Sequence, residues 1–181
     1  MNTNIQKIVF AGGCFWCTEA VFQRIKGVEK VVPGFSGGQI KNPAYREVIT
    51  GRTGHAEAVE VTFNSDIVTL QTLLEVFFST HDPTTLNKQG NDVGTQYRSA
   101  IYFTTEEQKN VIEAFLKLLN DKNIFKNPIV TEIKPFTAFY EAEVDHHEYY
   151  NLNKEQPYCQ YIINPKINTL HTHFSDKLKT T

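Results

Sequence analysis

Residues 7–11, KIVFA, form a short apolar run that stops at Gly12 and Gly13, and the stretch that follows, CTEAVFQRI, has helical composition up to Gly27. A buried strand, a tight turn and a helix are expected in that order. Two glycines at the turn let the chain reverse sharply and let another molecule approach the backbone. A strand feeding a helix calls for a sheet with helices packed on it, and this limits the folds available. Three later stretches agree. Residues 57–63, EAVEVTF, alternate, with Val59, Val61 and Phe63 on one face and Glu60 and Thr62 on the other, the period of a half-exposed strand. Leu70, Leu73, Leu74, Phe77 and Phe78 make one apolar stripe at helical spacing. Thr104 and Glu107 read as a capping box before a helix that carries Val111, Ile112, Phe115, Leu118 and Leu119. No repeat or shift in composition divides the 181 residues. One α/β domain is expected, long enough to bury a substantial core, with a short polar tail, SDKLKTT, at residues 175–181. The order of connections is not readable from this pattern.

Hydrophobic residues make up 40% of the chain and charged residues 21%, the balance of an ordinary globular protein. The net charge is -2 and no basic run marks a nucleic-acid or anionic-membrane surface. The polar start, MNTNIQK, does not resemble a signal peptide, and no apolar stretch is long enough to span a bilayer. Three cysteines do not make a disulfide framework, so a cytoplasmic protein with reduced thiols is expected.

Cys14 stands at the strand-to-helix junction, beside Phe15, Trp16 and Cys17. Unpaired N–H groups at a helix start favour negative charge, which predicts a lowered pKa and a nucleophilic thiolate at Cys14. Cys14 and Cys17 form a C-x-x-C pair, a spacing shared by zinc sites and thioredoxin-like proteins. A zinc site needs further ligands, and neither a second C-x-x-C nor an H-x3-5-H spacing accompanies Cys159 and the histidines. No metal and no cofactor are expected. A thiol–disulfide oxidoreductase acting through Cys14 and Cys17 stays open, as does a non-enzymatic methionine-binding module built on the aromatic residues.

The motifs GGCFWC, GVEKVVPGFSGG, NPAYREV, GHAEAVEVTF, HDPTTLNKQGNDVGTQYRSAIY, AEVDHHEYY and QPYCQYIINPK follow one another along nearly the whole chain. Together they resemble the peptide methionine sulfoxide reductases of the A type. The resemblance implies a two-layer α/β (α+β) fold, a mixed sheet with flanking helices, a ferredoxin-like core and an irregular C-terminal segment, with residues 5–174 as one catalytic domain. It implies reduction of the S epimer of methionine sulfoxide, free or in proteins, with thioredoxin as reductant, and a monomer is expected. On the matching positions, Cys14 takes the nucleophile's place. Phe15 and Trp16 take the place of the wall that receives the substrate methyl group. Tyr45 and Tyr97 match the tyrosines that hold the sulfoxide oxygen, Glu57 matches the buried acid, and Asp92 matches a supporting acidic residue. Cys159 matches a recycling cysteine, with Cys17 as the alternative. Phe35, in GFSGG, departs from the usual Gly-Tyr pattern and lacks its hydroxyl.

These residue types suit the chemistry. Attack of a thiolate on a sulfoxide sulfur builds negative charge on oxygen, so a nucleophile and a protonated acid are both needed. A carboxyl group serves near neutral pH only when burial raises its pKa. Tyrosine hydroxyls can hold the oxygen without carrying charge. The product, a sulfenic acid on Cys14, condenses with a nearby thiol. Cys159 is expected to be that first partner, because NKEQPYCQ reads as a polar, Pro-containing segment able to move, whereas thiols at i and i+3 of a regular helix are constrained.

Overall fold

The computed structural model describes residues 4–180. The chain runs β1 (Ile5–Ala11), α1 (Phe15–Phe22), β2 (Val28–Ser36), α2 (Tyr45–Val48), β3 (Ala56–Asn64), α3 (Leu70–Thr80), a short pair β4 (Lys88–Gln89) and β5 (Asp92–Val93), β6 (Ala100–Phe103), α4 (Glu106–Asp121), β7 (Glu132–Pro135), β8 (Phe139–Glu141), α5 (Tyr149–Leu152) and α6 (Asn164–His173). Six strands form one sheet in the order β7-β6-β1-β3-β2-β8. Neighbours are antiparallel except β6 and β7. The central four strands, with α1 crossing from β1 to β2 and α3 from β3 to β6, are the ferredoxin-like split βαβ arrangement. A parallel crossover through α4 adds β7 to one edge, and β8 covers the other. The expected two-layer mixed sheet is present.

The two faces of the sheet differ in side-chain size. Ile8 and Phe10 of β1, Val59, Val61 and Phe63 of β3 and Ile101 of β6 join α1, α3, α4 and α6 in the main core. Phe10 stacks on Phe22 at 4.7 Å and meets Phe77 at 4.9 Å, which fixes α1 and α3 against β1. The opposite face carries Val9, Ala11, Ala56, Ala58, Ala100 and Tyr102, closed by Phe136 and Phe139 rather than by a second helical layer. β3 pairs on both sides and is more buried than the alternation of EAVEVTF predicts; only its even-numbered residues from Glu60 onward reach solvent in part. Its odd-numbered series includes Glu57, which therefore shares a face with Val59, Val61 and Phe63.

The α4 cap lies one residue beyond the expected Thr104–Glu107 box. Thr105 accepts from the Gln108 N–H, and Gln108 Oε1 accepts from the Thr104 N–H at 2.9 Å. After β8 the chain makes short turns to residue 156, then follows a helical path over 157–173, with a π-type turn at Cys159–Ile163 leading into α6. Pro157 opens that path, where its missing N–H is not needed. The QPYC stretch is thus the first turn of a helix. The polar terminus docks as well: Leu178 bridges Ile25, and the Lys179 N–H donates to the Arg24 carbonyl at 2.8 Å.

Gly13 has φ +87, and a Cβ there would stand 2.8 Å from the Gln89 side chain. Gly13→Ala is expected to cost about 1–3 kcal/mol, the usual range for a strained backbone position. Urea denaturation measures it, and an unchanged midpoint would contradict the assignment.

Candidate active site

Cys14 ends the turn after β1 as the N-cap of α1, in extended conformation (φ -64, ψ 131). It lies outside the helix, and Cys17 occupies the third helical position, where the Cys17 N–H bonds the Cys14 carbonyl at 3.1 Å. N-cap and N3 side chains face each other, as in a capping box. The constraint expected for two thiols within a regular helix therefore does not apply. Both cysteines are buried and, with Cys159, all three are free thiols.

At Cys14 the lowering by the helix start is outweighed, and the pKa is raised, contrary to the sequence-based expectation. Burial pushes the Cys14 thiol well above its ordinary value, the proton shared with Cys17 and the Glu57 charge add to this, and the Trp16 N–H opposes it only weakly. Cys17 is the lower of the pair, through its hydrogen bond with Cys14 and the Lys166 charge, against the effect of burial.

Glu57 is 1% exposed. Its Oε1 accepts from the Phe15 N–H at 3.1 Å, so β3 and the first turn of α1 are tied through this carboxyl. Its Oε2 is buried with no hydrogen-bond partner among the described residues, although the nearby Cys14 thiol slightly favours the anion. Burial, against these weaker effects, pushes Glu57 up to about 8. The carboxyl is protonated at neutral pH, and its unpaired oxygen is free to donate. Phe35 stands opposite Glu57 in the β2–β3 ladder, with its ring 5.6 Å from that of Phe15. A phenyl ring at this position keeps the carboxyl's surroundings apolar.

Tyr45 opens α2, and Tyr97 ends a 3-10 turn before β6. Both are half-buried. Burial raises both phenols above their ordinary value, and the charges of Glu57, Cys14 and Asp92 raise them further. Both therefore stay protonated within electrostatic reach of the same acid and thiol. Phe15 is fully buried and forms a floor, its ring 6.0 Å from that of Tyr45. Trp16 is the accessible wall. It stacks on Tyr149 at 3.7 Å with 8° between the planes, and its Nε1–H donates to His146 Nδ1 at 3.1 Å. His146 also meets the Tyr45 ring at 4.1 Å, and burial lowers its pKa, which keeps it a neutral acceptor. His55, beside the Glu57 motif, accepts from the Gly38 N–H at 3.0 Å and pairs with the Ile40 carbonyl, so it braces the loop after β2.

Asp92 acts on Glu57, Tyr45 and Tyr97 through its charge and also borders Cys14 and Cys17. It accepts from the Tyr158 hydroxyl at 2.7 Å, and that hydroxyl meets Cys17 Sγ at 3.6 Å. A cavity of about 230 Å³ is lined by Gly12, Cys14, Cys17, Asp92, Tyr158 and Lys166. Cys159 is fully buried at the head of the helical path rather than on a mobile loop. Burial raises its pKa, and the Cys17 charge adds to that. His146, Tyr149, Tyr158 and Lys166 are site residues that sequence reasoning does not single out. Their only signal is membership of AEVDHHEYY and QPYCQYIINPK, motifs that carry the resemblance as wholes rather than residue by residue.

A thiol, a protonated carboxyl and two protonated phenols within electrostatic reach of one another make a group suited to a neutral substrate with a basic oxygen. Comparison with known proteins gives the family. The model for peptide methionine sulfoxide reductase matches residues 6–178, and the chain belongs to that family. The peptide methionine sulfoxide reductase MsrA of Sulfolobus acidocaldarius is 54% identical over 166 residues, covering 92% of this chain and 93% of that one. The MsrA of Deinococcus radiodurans is 50% identical over 174 residues, with 96% and 84% covered. Among solved structures, reduced Mxr1 from Saccharomyces cerevisiae aligns with a TM-score of 0.79 at 32% identity, over 88% of this chain and 91% of that one. Methionine sulfoxide reductase A of Corynebacterium diphtheriae aligns with a TM-score of 0.73 at 36% identity, over 83% and 76%.

Two buried acids predict the pH dependence of stability. Burial raises Glu57 to about 8 and Glu19 to about 7, both from 4.5. Between those values the folded chain holds protons that the unfolded chain releases, so stability falls as pH climbs from about 4.5 to about 8. Glu57→Gln, which cannot ionise, is expected to flatten the upper part of that fall. Urea midpoints at about pH 5 and about pH 8.5 measure it, and equal slopes for parent and variant would show Glu57 ionised at neutral pH.

Proposed function

We propose that this chain reduces the S epimer of methionine sulfoxide, free or in proteins, to methionine, with Cys14 as nucleophile and Glu57 as general acid. The observation that carries this reading is the buried, unpartnered Oε2 of a protonated Glu57 beside the Cys14 thiol. An acid held that way supports a substrate that brings its own acceptor oxygen into a dry pocket. The sulfoxide oxygen takes hydrogen bonds from Glu57, Tyr45 and Tyr97, while the methyl group rests against Phe15 and Trp16. Proton donation to the oxygen makes the sulfur electrophilic and gives the raised Cys14 thiol its reason to ionise only with substrate bound. The Cys14 sulfur bonds to the sulfoxide sulfur, and the hydroxyl then passes to Cys14 as the thioether leaves. Glu57 supplies the proton of that hydroxyl and takes up the one the Cys14 thiol releases, so methionine and a Cys14 sulfenic acid balance the reactants and the acid is restored. The choice of S over R rests on the family resemblance.

Recycling needs a second thiol, and both Cys17 and Cys159 serve in this reading. The mobile segment that favoured Cys159 as first partner is replaced by a buried helical turn, while Cys17 faces Cys14 across the N-cap. Cys17 therefore condenses first, and Cys159 takes over the disulfide for reduction by thioredoxin, a two-electron dithiol donor. Asp92 supports this side through Tyr158. Residues 5–174 act as one catalytic domain and the protein works as a monomer in the cytoplasm, where its three free thiols stay reduced.

The test uses the two separated epimers of a methionine sulfoxide peptide with dithiothreitol. The S epimer is expected to turn over and the R epimer not; Cys14→Ser loses all turnover while remaining folded. Glu57→Gln is expected to slow the single-turnover step by about 10²-fold or more, the usual worth of a general acid. Comparable rates on both epimers, or turnover by Cys14→Ser, would overturn the reading.

A further inference from the structure

Lys166 is a largely buried lysine that the chemistry above leaves without a part. It stands in the first turn of α6, and its Nζ donates to the Thr80 carbonyl at the end of α3. This tether holds the ammonium against the wall of the cavity that also contains Cys14, Cys17, Asp92 and Tyr158. A second, smaller recess is lined by Lys166 together with Cys17, Gly12 and His81. A lysine drawn into such a site needs a negative partner, and its tether is a neutral carbonyl.

We propose that Lys166 is a positioning residue for recycling: its fixed cation holds Cys17 as the thiolate that attacks oxidised Cys14. This rests on the reading of Cys17 as first partner. In that step the Cys17 sulfur bonds to the Cys14 sulfur and the S–O bond of the sulfenic acid breaks. Hydroxide leaves as water with a proton from neighbouring Glu57, which regains from solvent the proton Cys17 had released. Among the groups facing Cys17, Lys166 is the cation, and the Asp92 charge works against it. Asp92 and Glu57 are acids, Tyr158 is held protonated by burial, and His81 is lowered to about 4 by burial and so neutral, while Cys14 and Cys159 are thiols. Lys166 supplies the positive charge that lowers Cys17, and the Cys17 charge in turn offsets the effect of burial on Lys166.

Full-length parent, Lys166→Met, Lys166→Arg and Cys17→Ser are compared by thiolate absorbance against pH and by rapid-quench mapping of disulfides after one turnover without reductant. The parent is expected to show a thiolate titration that Cys17→Ser lacks, moved upward by at least about one pH unit in Lys166→Met and restored in Lys166→Arg. Formation of the Cys14–Cys17 bond at neutral pH is expected to slow about threefold to fourfold for each pH unit by which that titration rises above neutrality, because the higher-pKa thiolate regains part of its lost population as nucleophilicity. Rate and titration unmoved in a folded Lys166→Met, with a Cys14–Cys17 bond still dominant, would overturn the role of Lys166 alone. A first bond between Cys14 and Cys159 in the parent would instead overturn the reading of Cys17. No methionine formed in the parent would overturn the proposed reduction itself.

Discussion

The hydrogen bond from the Phe15 N–H to Glu57 Oε1 holds the site together. It joins the middle of the sheet to the first turn of α1 and satisfies one orphan donor of that helix. It also fixes which oxygen is left over. With Oε1 occupied and the carboxyl buried beside Phe15 and Phe35, Oε2 has no partner among the described residues, and the proton stays on the acid. A charged Glu57 here would carry an uncompensated charge in an apolar pocket, which is costly. The same anchoring brings Glu57 to Cys14, within electrostatic reach of Tyr45 and Tyr97.

The groups around Cys14 are of two opposite characters. Toward Glu57 the surroundings keep protons on: the acid and both phenols are raised, and His146 is a neutral acceptor that orients Trp16. Toward Cys17 a thiolate is favoured by the hydrogen bond with Cys14, then by Lys166 and the Tyr158 hydroxyl, against burial and the Asp92 charge. A reductase of this kind needs both. Its first half-reaction delivers a proton to oxygen, and its second requires a thiol ready to attack. A C-x-x-C pair straddling an N-cap places the two sulfurs side by side on one cavity.

Much of this was legible in the sequence because it is local. KIVFA, two glycines and CTEAVFQRI gave the strand, turn and helix that carry Cys14, and the stripe from Leu70 to Phe78 is buried as its spacing predicts. The α4 cap slipped by one residue because Thr104 and Thr105 are equally able to cap, as are Glu107 and Gln108 to answer. The burial of Glu57 was available in the alternation of β3, where it continues the series of Val59, Val61 and Phe63. The Cys14 pKa was not, because a helix start is local whereas desolvation depends on everything packed around the thiol. His146, Tyr149, Tyr158 and Lys166 lie more than 125 residues along the chain from Cys14 and meet it only through the fold. The polar character of NKEQPYCQ suggested movement, yet a helix with one buried face around Cys159 and Ile163 has the same composition.

The protonation of Glu57 is open to direct measurement by infrared difference spectroscopy of the parent against Glu57→Gln. A protonated carboxyl gives a C=O stretch well separated from that of a carboxylate. Such a band, present at neutral pH, lost in the variant and titrating away near pH 8, is the expected result. A carboxylate signal for Glu57 at neutral pH, with no protonated band to lose, would contradict the acid's role at its source.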